Sequence, residues 1–417
     1  MKITPPLAVL VLLTLPLCLR AADPAAPIDP ARGRQLMEKS GRGETLTPDE
    51  QAYLARVREE IRRRSAGNAP GAIAPAATKQ PPPKGNPADW RDLIPLTDMT
   101  TPYKGEDGGL YGGGRNEPPA AHLAAYRTES EKIRPLNARG QPSPEGQIGF
   151  ITIGFSNTSI ESEDFKRVAD ADAQKSPRVT IVNGAIGGRS AVMWAWDGAE
   201  HLPKAEQERL DRAMDLVRMP KTNRKSSPGL DKDTWPTLLK RVAAAGLSPA
   251  QVQAVWLKQV EANPKPFGEF PAHARALQAD MTAILNIARH HFPNLRVAFL
   301  SSRTFGGWSG RESGSPEPYA YESGFGTRWV VQSQIRGDAA LNYDPARGDV
   351  KAPLVVWGPY LWAQGDTPRK FDGLTWTEAD VRADRLHPNE AGVAKTTKLL
   401  LDFFKTDSAA QVWFAQP

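Results

Sequence analysis

Short apolar runs alternate with amphipathic stretches along the chain from about residue 147 onwards. Within each run, apolar and polar positions do not strictly alternate, which is typical of strands buried on both faces of a parallel sheet. The runs predict strands at about residues 147–154, 178–183, 252–258, 295–301 and 353–357. Apolar residues at helical spacing predict helices at about residues 204–218, 272–291, 322–335 and 389–404.

The order of these elements predicts the fold class. Strands that alternate with helices imply right-handed crossovers and therefore an α/β fold, with a doubly wound, flavodoxin-like parallel sheet of five strands flanked by helices. In such a fold, ligands bind outside the carboxyl ends of the strands. Candidate chemistry is therefore expected in the residues that directly follow each strand.

The N-terminal segment has a different character. Residues 1–22 begin with a basic residue, Lys2, continue with an apolar stretch from Leu7 to Leu19 and end with the small residues Ala21 and Ala22. This pattern is typical of a secretory signal peptide. We therefore expect a secreted or periplasmic protein that contacts a membrane only if the signal segment is retained. The only cysteine, Cys18, lies in this segment, so neither a disulfide nor a thiolate metal site is expected in the mature protein.

Between the signal segment and the main domain, the composition changes once more. Residues 23–64 form an extension with one helix, predicted from about residue 48 to residue 64, and residues 65–89 form a linker rich in proline and alanine. The main domain is expected over residues 90–417.

The formal net charge is +6, but the basic residues are spread along the chain and cluster only between residues 56 and 64. That cluster is typical of a solvated helix face. Because aromatic residues are scarce there, a nucleic acid is not expected as a partner.

Ser156 follows the first predicted strand. A strand that ends in Gly154 and then presents a hydroxyl can expose the serine oxygen above the sheet, with the serine N–H directed at a developing oxyanion. The structural alternative is a serine that caps a helix. The segment lacks the second glycine of the Gly-x-Ser-x-Gly elbow, which argues against a lipase-type α/β-hydrolase.

A glycine-rich segment, Asn183 to Ser190, follows the second predicted strand. Glycines allow backbone amides to approach a ligand closely, so Gly188 is a candidate donor to an oxyanion. The alternative is a plain turn between a strand and a helix. The glycine spacing and the lack of an acidic residue at the end of the following strand argue against a dinucleotide fingerprint.

His387 is the one histidine with an acidic residue, Asp384, at a spacing that can orient its ring, in a loop that precedes a helix. The adjacent pair His290 and His291 lies at the end of one amphipathic helix and faces different directions, so metal ligation there is not expected. We expect no metal and no organic cofactor.

Taken in chain order, these motifs resemble the SGNH (GDSL-like) hydrolase family over about residues 145 to 405. The most specific part of the resemblance is the segment from Asp384 to Gly392. The resemblance implies that Ser156 is the nucleophile, Gly188 an oxyanion-hole glycine beside the N–H of Ser156, Asp384 the orienting acid and His387 the general base.

The sequence departs from the family pattern at two places. Phe155 replaces the family's usual aspartate before the nucleophile. After the third strand, the expected Gly-x-Asn-Asp is absent, and Lys258, Gln259 or Asn263 is a candidate for the missing oxyanion donor.

The resemblance implies an exported serine esterase that removes ester groups, O-acetyl groups in particular, from a small molecule or a polysaccharide. Asn157 and Arg189 are candidate substrate-binding residues, and aromatic residues between the strands offer faces on which sugar rings can stack. Three basic residues, Arg189, Arg303 and Lys258, would favour an acidic or sulfated polysaccharide. The alternative is a catalytically weak or inactive carbohydrate-binding module that keeps the hydrolase fold, and the sequence gives no oligomeric state.

Overall fold

The structure is a computed structural model that describes residues 46–65, 83–217 and 233–416, together with residues 29, 32, 33, 35, 36 and 39. The predicted signal segment and most of the predicted linker lie outside the described residues. The chain divides into two compact units, residues 1–79 and residues 80–417. Among the helices that the structure describes, none is long and apolar enough to cross a membrane.

In the first unit, helix α1 spans Pro48–Ser65, within one residue of the helix predicted from sequence. Its start is fixed by a capping box. The Thr47 N–H donates to the Glu50 carboxylate over 2.8 Å, and the Glu50 N–H donates to the Thr47 hydroxyl oxygen over 3.3 Å.

The second unit contains a five-stranded, fully parallel sheet with the strand order β2-β1-β3-β4-β5. The strands are β1 (Ile148–Gly154), β2 (Val179–Asn183), β3 (Val252–Lys258), β4 (Val297–Ser301) and β5 (Leu354–Trp357). This is the doubly wound, flavodoxin-like order, so the predicted fold class is confirmed. The predicted strand bounds differ from the observed ones by at most two residues.

The helices of the second unit are α2 (Ala120–Glu131), α3 (Ser156–Ala171), α4 (Ala191–Asp197), α5 (Lys204–Val217), α6 (Thr234–Ala244), α7 (Ala272–His291), α8 (Tyr319–Ile335), α9 (Glu390–Thr406) and α10 (Gln411–Phe414). Helices α5, α7, α8 and α9 correspond to the four helices predicted for this domain. Helix α3 is the one that matters most for the site, since it begins directly after the end of β1.

Both faces of the sheet are covered, because successive strand residues point to opposite sides. On one face, Ile151 and Val255 pack with helices α4 to α8. On the other, Phe150 and Trp256 pack with α2, α3, α9 and α10. Every residue of β1, β3, β4 and β5 is buried, which explains why these strands have continuous apolar runs.

The end of the predicted linker is part of the second unit. Lys84 pairs with Ser309 in an antiparallel bridge, and the N–H of Gly85 donates to the Trp308 carbonyl over 3.2 Å. The backbone from residue 83 onwards therefore packs on the loop that follows β4.

In the sheet, β1 lies between β2 and β3. The connection after β1 leads to β2 on one side of it, and the connection after β2 leads back across to β3 on the other side. This is the switch point at which doubly wound folds open a crevice at the strand carboxyl ends. The residues that follow β1, β2 and β3 meet there.

Candidate active site

Ser156 is the first residue of α3, two residues after the end of β1. A Cβ atom on Gly154 would lie 2.5 Å from the Lys258 carbonyl oxygen, so glycine is required for the chain to turn beside β3. The Thr158 hydroxyl donates to the same carbonyl over 2.9 Å and fixes the first turn of α3. At this position the Ser156 N–H lies among the free N–H groups of a helix N-terminus, where the helix dipole favours negative charge.

His387 lies in a closed loop before α9. Val381 and Pro388 pair as an antiparallel bridge, and the Arg382 N–H donates to the His387 carbonyl over 2.8 Å. Asn389 ends the loop by accepting the N–H groups of the first turn of α9. The loop is therefore held by its own backbone and by the Asn389 side chain.

Inside this loop, the Asp384 carboxylate organises the backbone that carries the histidine. Its Oδ1 accepts the N–H groups of Leu386 and His387, each over 3.0 Å. Arg385, which lies between Asp384 and Leu386, adopts φ +56°, a conformation that non-glycine residues rarely take. The Arg385 guanidinium donates to Glu378 over 3.1 Å and helps to hold this turn.

The structure brings Ser156, His387 and Asp384 together in one hydrogen-bonded row. His387 Nδ1 lies 2.7 Å from Asp384 Oδ2, and His387 Nε2 lies 2.9 Å from the Ser156 hydroxyl oxygen. Burial raises the pKa of Asp384, but the hydrogen bonds from the His387 ring and from the loop N–H groups outweigh it, so that pKa is lowered overall. A carboxylate that stays ionised fixes the ring with Nδ1–H towards Asp384 and leaves Nε2 free to accept the serine proton.

The glycine-rich loop after β2 passes beside the serine. A Cβ atom on Gly187 would lie 3.9 Å from the Ser156 Cβ, and Gly188 adopts φ +79°, which favours glycine. The N–H of Ile186 donates to the Gly154 carbonyl over 3.1 Å, which ties the loop to the end of β1. Gly188 is thus in the stretch of loop that borders Ser156.

Two of the three candidate donors after β3 have structural partners. The Lys258 ammonium is buried and contacts both carboxylate oxygens of Glu161, over 2.7 and 2.5 Å. The Gln259 amide donates to the Arg189 carbonyl over 3.2 Å and so holds the glycine-rich loop. Neither side chain is free to serve an oxyanion.

Asn263 is the remaining candidate. Its side chain is half-buried and has no hydrogen-bond partner among the described residues. The preceding carbonyl, of Ala262, accepts the N–H of Gly314 over 2.6 Å, and a Cβ atom on Gly314 would lie 2.6 Å from the Leu386 side chain. Asn263 therefore lies on a loop that is connected to the His387 loop through one intervening glycine.

The two residues predicted to bind substrate have structural contacts instead. Asn157 is buried, and its amide donates to the Leu386 carbonyl over 3.2 Å, so it connects α3 to the His387 loop. Arg189 is buried and forms an ion pair with Asp233. Their side chains are thus used to hold the site together.

The expectation of an acidic substrate, which rested on three basic residues, loses its support. Lys258 and Arg189 are buried in the ion pairs described above, and Arg303 is buried with its Nε donating to the Ser315 carbonyl over 3.0 Å. Most of the aromatic residues between the strands are core residues as well, with Trp194, Tyr321 and Trp362 fully buried.

The other histidines do not form a metal site in the described part of the chain, where no group of three or more ligating side chains is suitably placed. His201, on the loop before α5, stacks on His290 with ring centroids 3.9 Å apart, and burial lowers the pKa of the neighbouring His291 to about 4. These rings pack against each other, far along the chain from the His387 loop.

Several residues that support the site have no signal in the sequence. The Arg241 guanidinium, on α6, donates to the Asn183 and Ala185 carbonyls over 3.0 and 2.9 Å and fixes the start of the glycine-rich loop. Glu161 belongs to the same class. Each acts across a large sequence separation, so no local pattern indicates its role.

No protein-family model, curated protein or solved structure matches this chain.

Proposed function

We propose that this protein is a serine esterase of the SGNH type, exported from the cell, that hydrolyses ester groups through Ser156, His387 and Asp384. The observation that carries the proposal is the position of the His387 ring. It lies between a serine hydroxyl at 2.9 Å and a carboxylate at 2.7 Å, at the carboxyl edge of a parallel sheet. These distances are within the range at which a base can take a proton from a nucleophile.

In the proposed reaction, His387 Nε2 takes the Ser156 proton while the serine oxygen attacks the ester carbonyl carbon. The His387 imidazolium then gives that proton to the departing alcohol oxygen, which leaves an acyl group on Ser156. A water molecule, deprotonated by His387 in the same way, releases the carboxylic acid and restores the serine. Asp384 stabilises the imidazolium at both stages.

The oxyanion of each tetrahedral intermediate would be held by the N–H groups of Ser156 and Gly188. The Asn263 amide would supply the third donor, since Lys258 and Gln259 are occupied elsewhere. Donors fixed in advance at this position stabilise charge that develops only in the transition state.

A carbohydrate ester is the proposed substrate class. A cavity of about 290 Å³ lies among the loop after β4, Trp90 and Tyr319, and that loop also carries Gly314 beside the His387 loop. Both rings are partly exposed, and aromatic rings in this setting can pack against a sugar.

A fluorophosphonate probe that reacts with activated serines tests the proposal directly. We expect one covalent adduct, located on Ser156 by peptide mass spectrometry, because this is the one hydroxyl among the described residues that is hydrogen-bonded to an imidazole. The matched control is Ser159→Ala, which removes a hydroxyl one turn along the same helix and should leave labelling unchanged. An unlabelled, folded protein that binds glycans would instead favour a non-catalytic carbohydrate-binding module.

We expect Asn263→Ala to lower kcat for p-nitrophenyl acetate by about 10²- to 10³-fold, with a smaller change in KM, because one oxyanion donor is lost. Glu269→Ala is a suitable control, since it alters an exposed side chain in the same connection between β3 and α7. Steady-state kinetics of the wild type and the two variants measure this change in kcat. Equal kcat values for Asn263→Ala and the wild type would remove Asn263 from the oxyanion hole.

A further inference from the structure

Two buried carboxyl groups meet beneath the loop that follows β3. Glu261, two residues before Asn263, is 3% exposed, and Asp280, on α7, is fully buried. Neither residue has a role in the active site described above. A buried carboxylate is costly unless its charge is balanced and its oxygens are hydrogen-bonded.

The partners of these groups account for only half of their oxygen atoms. Glu261 Oε2 accepts the Val192 N–H over 3.4 Å, and Asp280 Oδ1 accepts the Arg209 guanidinium over 2.6 Å. The other oxygens, Glu261 Oε1 and Asp280 Oδ2, are buried and have no hydrogen-bond donor among the described residues. The two groups interact directly, and the charge of Asp280 is one of the causes that raise the pKa of Glu261.

The charges around the pair are not balanced if both groups are ionised. From α5, Arg209 supplies one positive charge, but it also donates to Glu206 over 2.8 Å. Helix α4 contributes the Val192 N–H, and α7 contributes Asp280 itself. Three carboxylates would therefore share one guanidinium.

We propose that Glu261 and Asp280 share one proton, and that this proton-bridged pair, the carboxyl clamp, positions the loop from Gln259 to Asn263. A single proton between Glu261 Oε1 and Asp280 Oδ2 satisfies both unpartnered oxygens and removes the excess negative charge. The clamp would fix the middle of this loop. The other contacts of the loop connect it to two further parts of the active site. Gln259 holds the glycine-rich loop, and the Ala262 carbonyl holds Gly314.

The positioning role rests on the proposed esterase function, whereas the shared proton does not. Glu261 would act on the reaction only through the loop, by keeping Asn263 in register with Ser156. A displacement of about 1 Å in such a loop is enough to weaken an oxyanion hole substantially.

The clamp predicts a specific dependence of stability on pH. Burial and the neighbouring Asp280 raise the pKa of Glu261 well above its ordinary value of 4.5. The folded protein then binds a proton that the unfolded chain has released, so stability falls as pH rises. The stabilisation is fully present below pH 4.5 and is lost as pH rises through the raised pKa.

The test compares thermal unfolding of the wild type, Glu261→Gln and Asp280→Asn between pH 5 and pH 9. Each amide supplies a permanent N–H between the two groups. The Tm of each variant relative to the wild type should therefore rise with pH, by about 3 °C or more across this range. Glu208→Gln is the matched control, because it removes an exposed carboxylate that pairs with Lys204 on the same helix and leaves Arg209 and the clamp intact. Its Tm difference from the wild type should stay nearly constant.

A second measurement follows fluorophosphonate labelling of Ser156 over the same pH range. Labelling of the wild type should fall at alkaline pH, and Glu261→Gln should extend the labelled range upwards. Tm differences that do not change with pH would overturn the clamp, as would failure of both amide variants to fold. If Ser156 proves unreactive in every variant, the Tm comparison still decides the clamp, and only the esterase proposal is lost.

Discussion

Ser156→Ala should reduce kcat/KM for p-nitrophenyl acetate by roughly 10⁴-fold or more, because the proposed covalent pathway has no other nucleophile. In the wild type, the Ser156 hydroxyl lies 2.9 Å from His387 Nε2, and replacing it with a methyl group removes the attacking oxygen without changing the helix start. Residual turnover would come from the oxyanion donors and from His387 acting on water. Initial rates, corrected for spontaneous hydrolysis, measure the effect.

Ser159→Ala is the control for this experiment. Ser159 lies on the same helix, and its role in the structure is carried by the backbone, since its carbonyl accepts the Asn183 amide over 2.9 Å. We expect wild-type rates for this variant and an unchanged circular dichroism spectrum for both. Turnover by Ser156→Ala at the wild-type rate would show that hydrolysis occurs elsewhere and would end the serine-esterase assignment.

The sheet could be predicted from the sequence because its strands are buried on both faces. Residues 252–258 and 297–301 carry mostly apolar side chains, and a short apolar run of this kind is typical of a strand buried on both faces. Helices α5 and α7 could be found for a related reason, since each buries one stripe and exposes the other. Helix α3 is harder to predict, because its first turns are polar and it is held by contacts with β3 and α9.

The local part of the site was also accessible from sequence. Asp384 and His387 are three residues apart, and the turn between them is made by their own backbone. The serine could be paired with them only through the family resemblance, because 231 residues separate Ser156 from His387. In the structure, the Ser156 hydroxyl oxygen lies 2.9 Å from His387 Nε2.

Electrostatic roles were the least predictable from sequence. Arg189 and Lys258 are two of the cations that suggested an anionic substrate, yet each is buried against a carboxylate from a distant segment. A charged residue in a sequence gives no indication of whether its partner is a substrate or another part of the chain. Only the fold decides which of the two applies.

The ion pair between Lys258 and Glu161 is the contact on which we expect stability to depend most. The side chains are 3% and 1% exposed, and the pair connects the end of β3 to the helix that begins at Ser156. Desolvation lowers the pKa of Lys258, and the charge of Glu161 opposes that effect. Glu161→Ala would leave an ammonium group buried without its counter-charge. We expect this to lower the free energy of unfolding by about 3–5 kcal/mol.

Chemical denaturation, followed by tryptophan fluorescence, measures this loss. Lys166→Ala is the matched control on the same helix, because Lys166 pairs with Asp170 at the surface, where both side chains are about 40% exposed. It should change the free energy of unfolding by less than about 1 kcal/mol.

A double variant separates the energy of the pair from the cost of breaking it. Lys258→Met combined with Glu161→Leu removes both charges and keeps the volume, so it should recover most of the stability lost in Glu161→Ala. Recovery would mean that the pair is needed for charge balance in the core beneath Ser156 and not for net stabilisation. If the double variant is instead as unstable as Glu161→Ala, the hydrogen bonds that Glu161 accepts from Lys258 and Thr396 hold α3 in place directly, and the catalytic rate should fall with them.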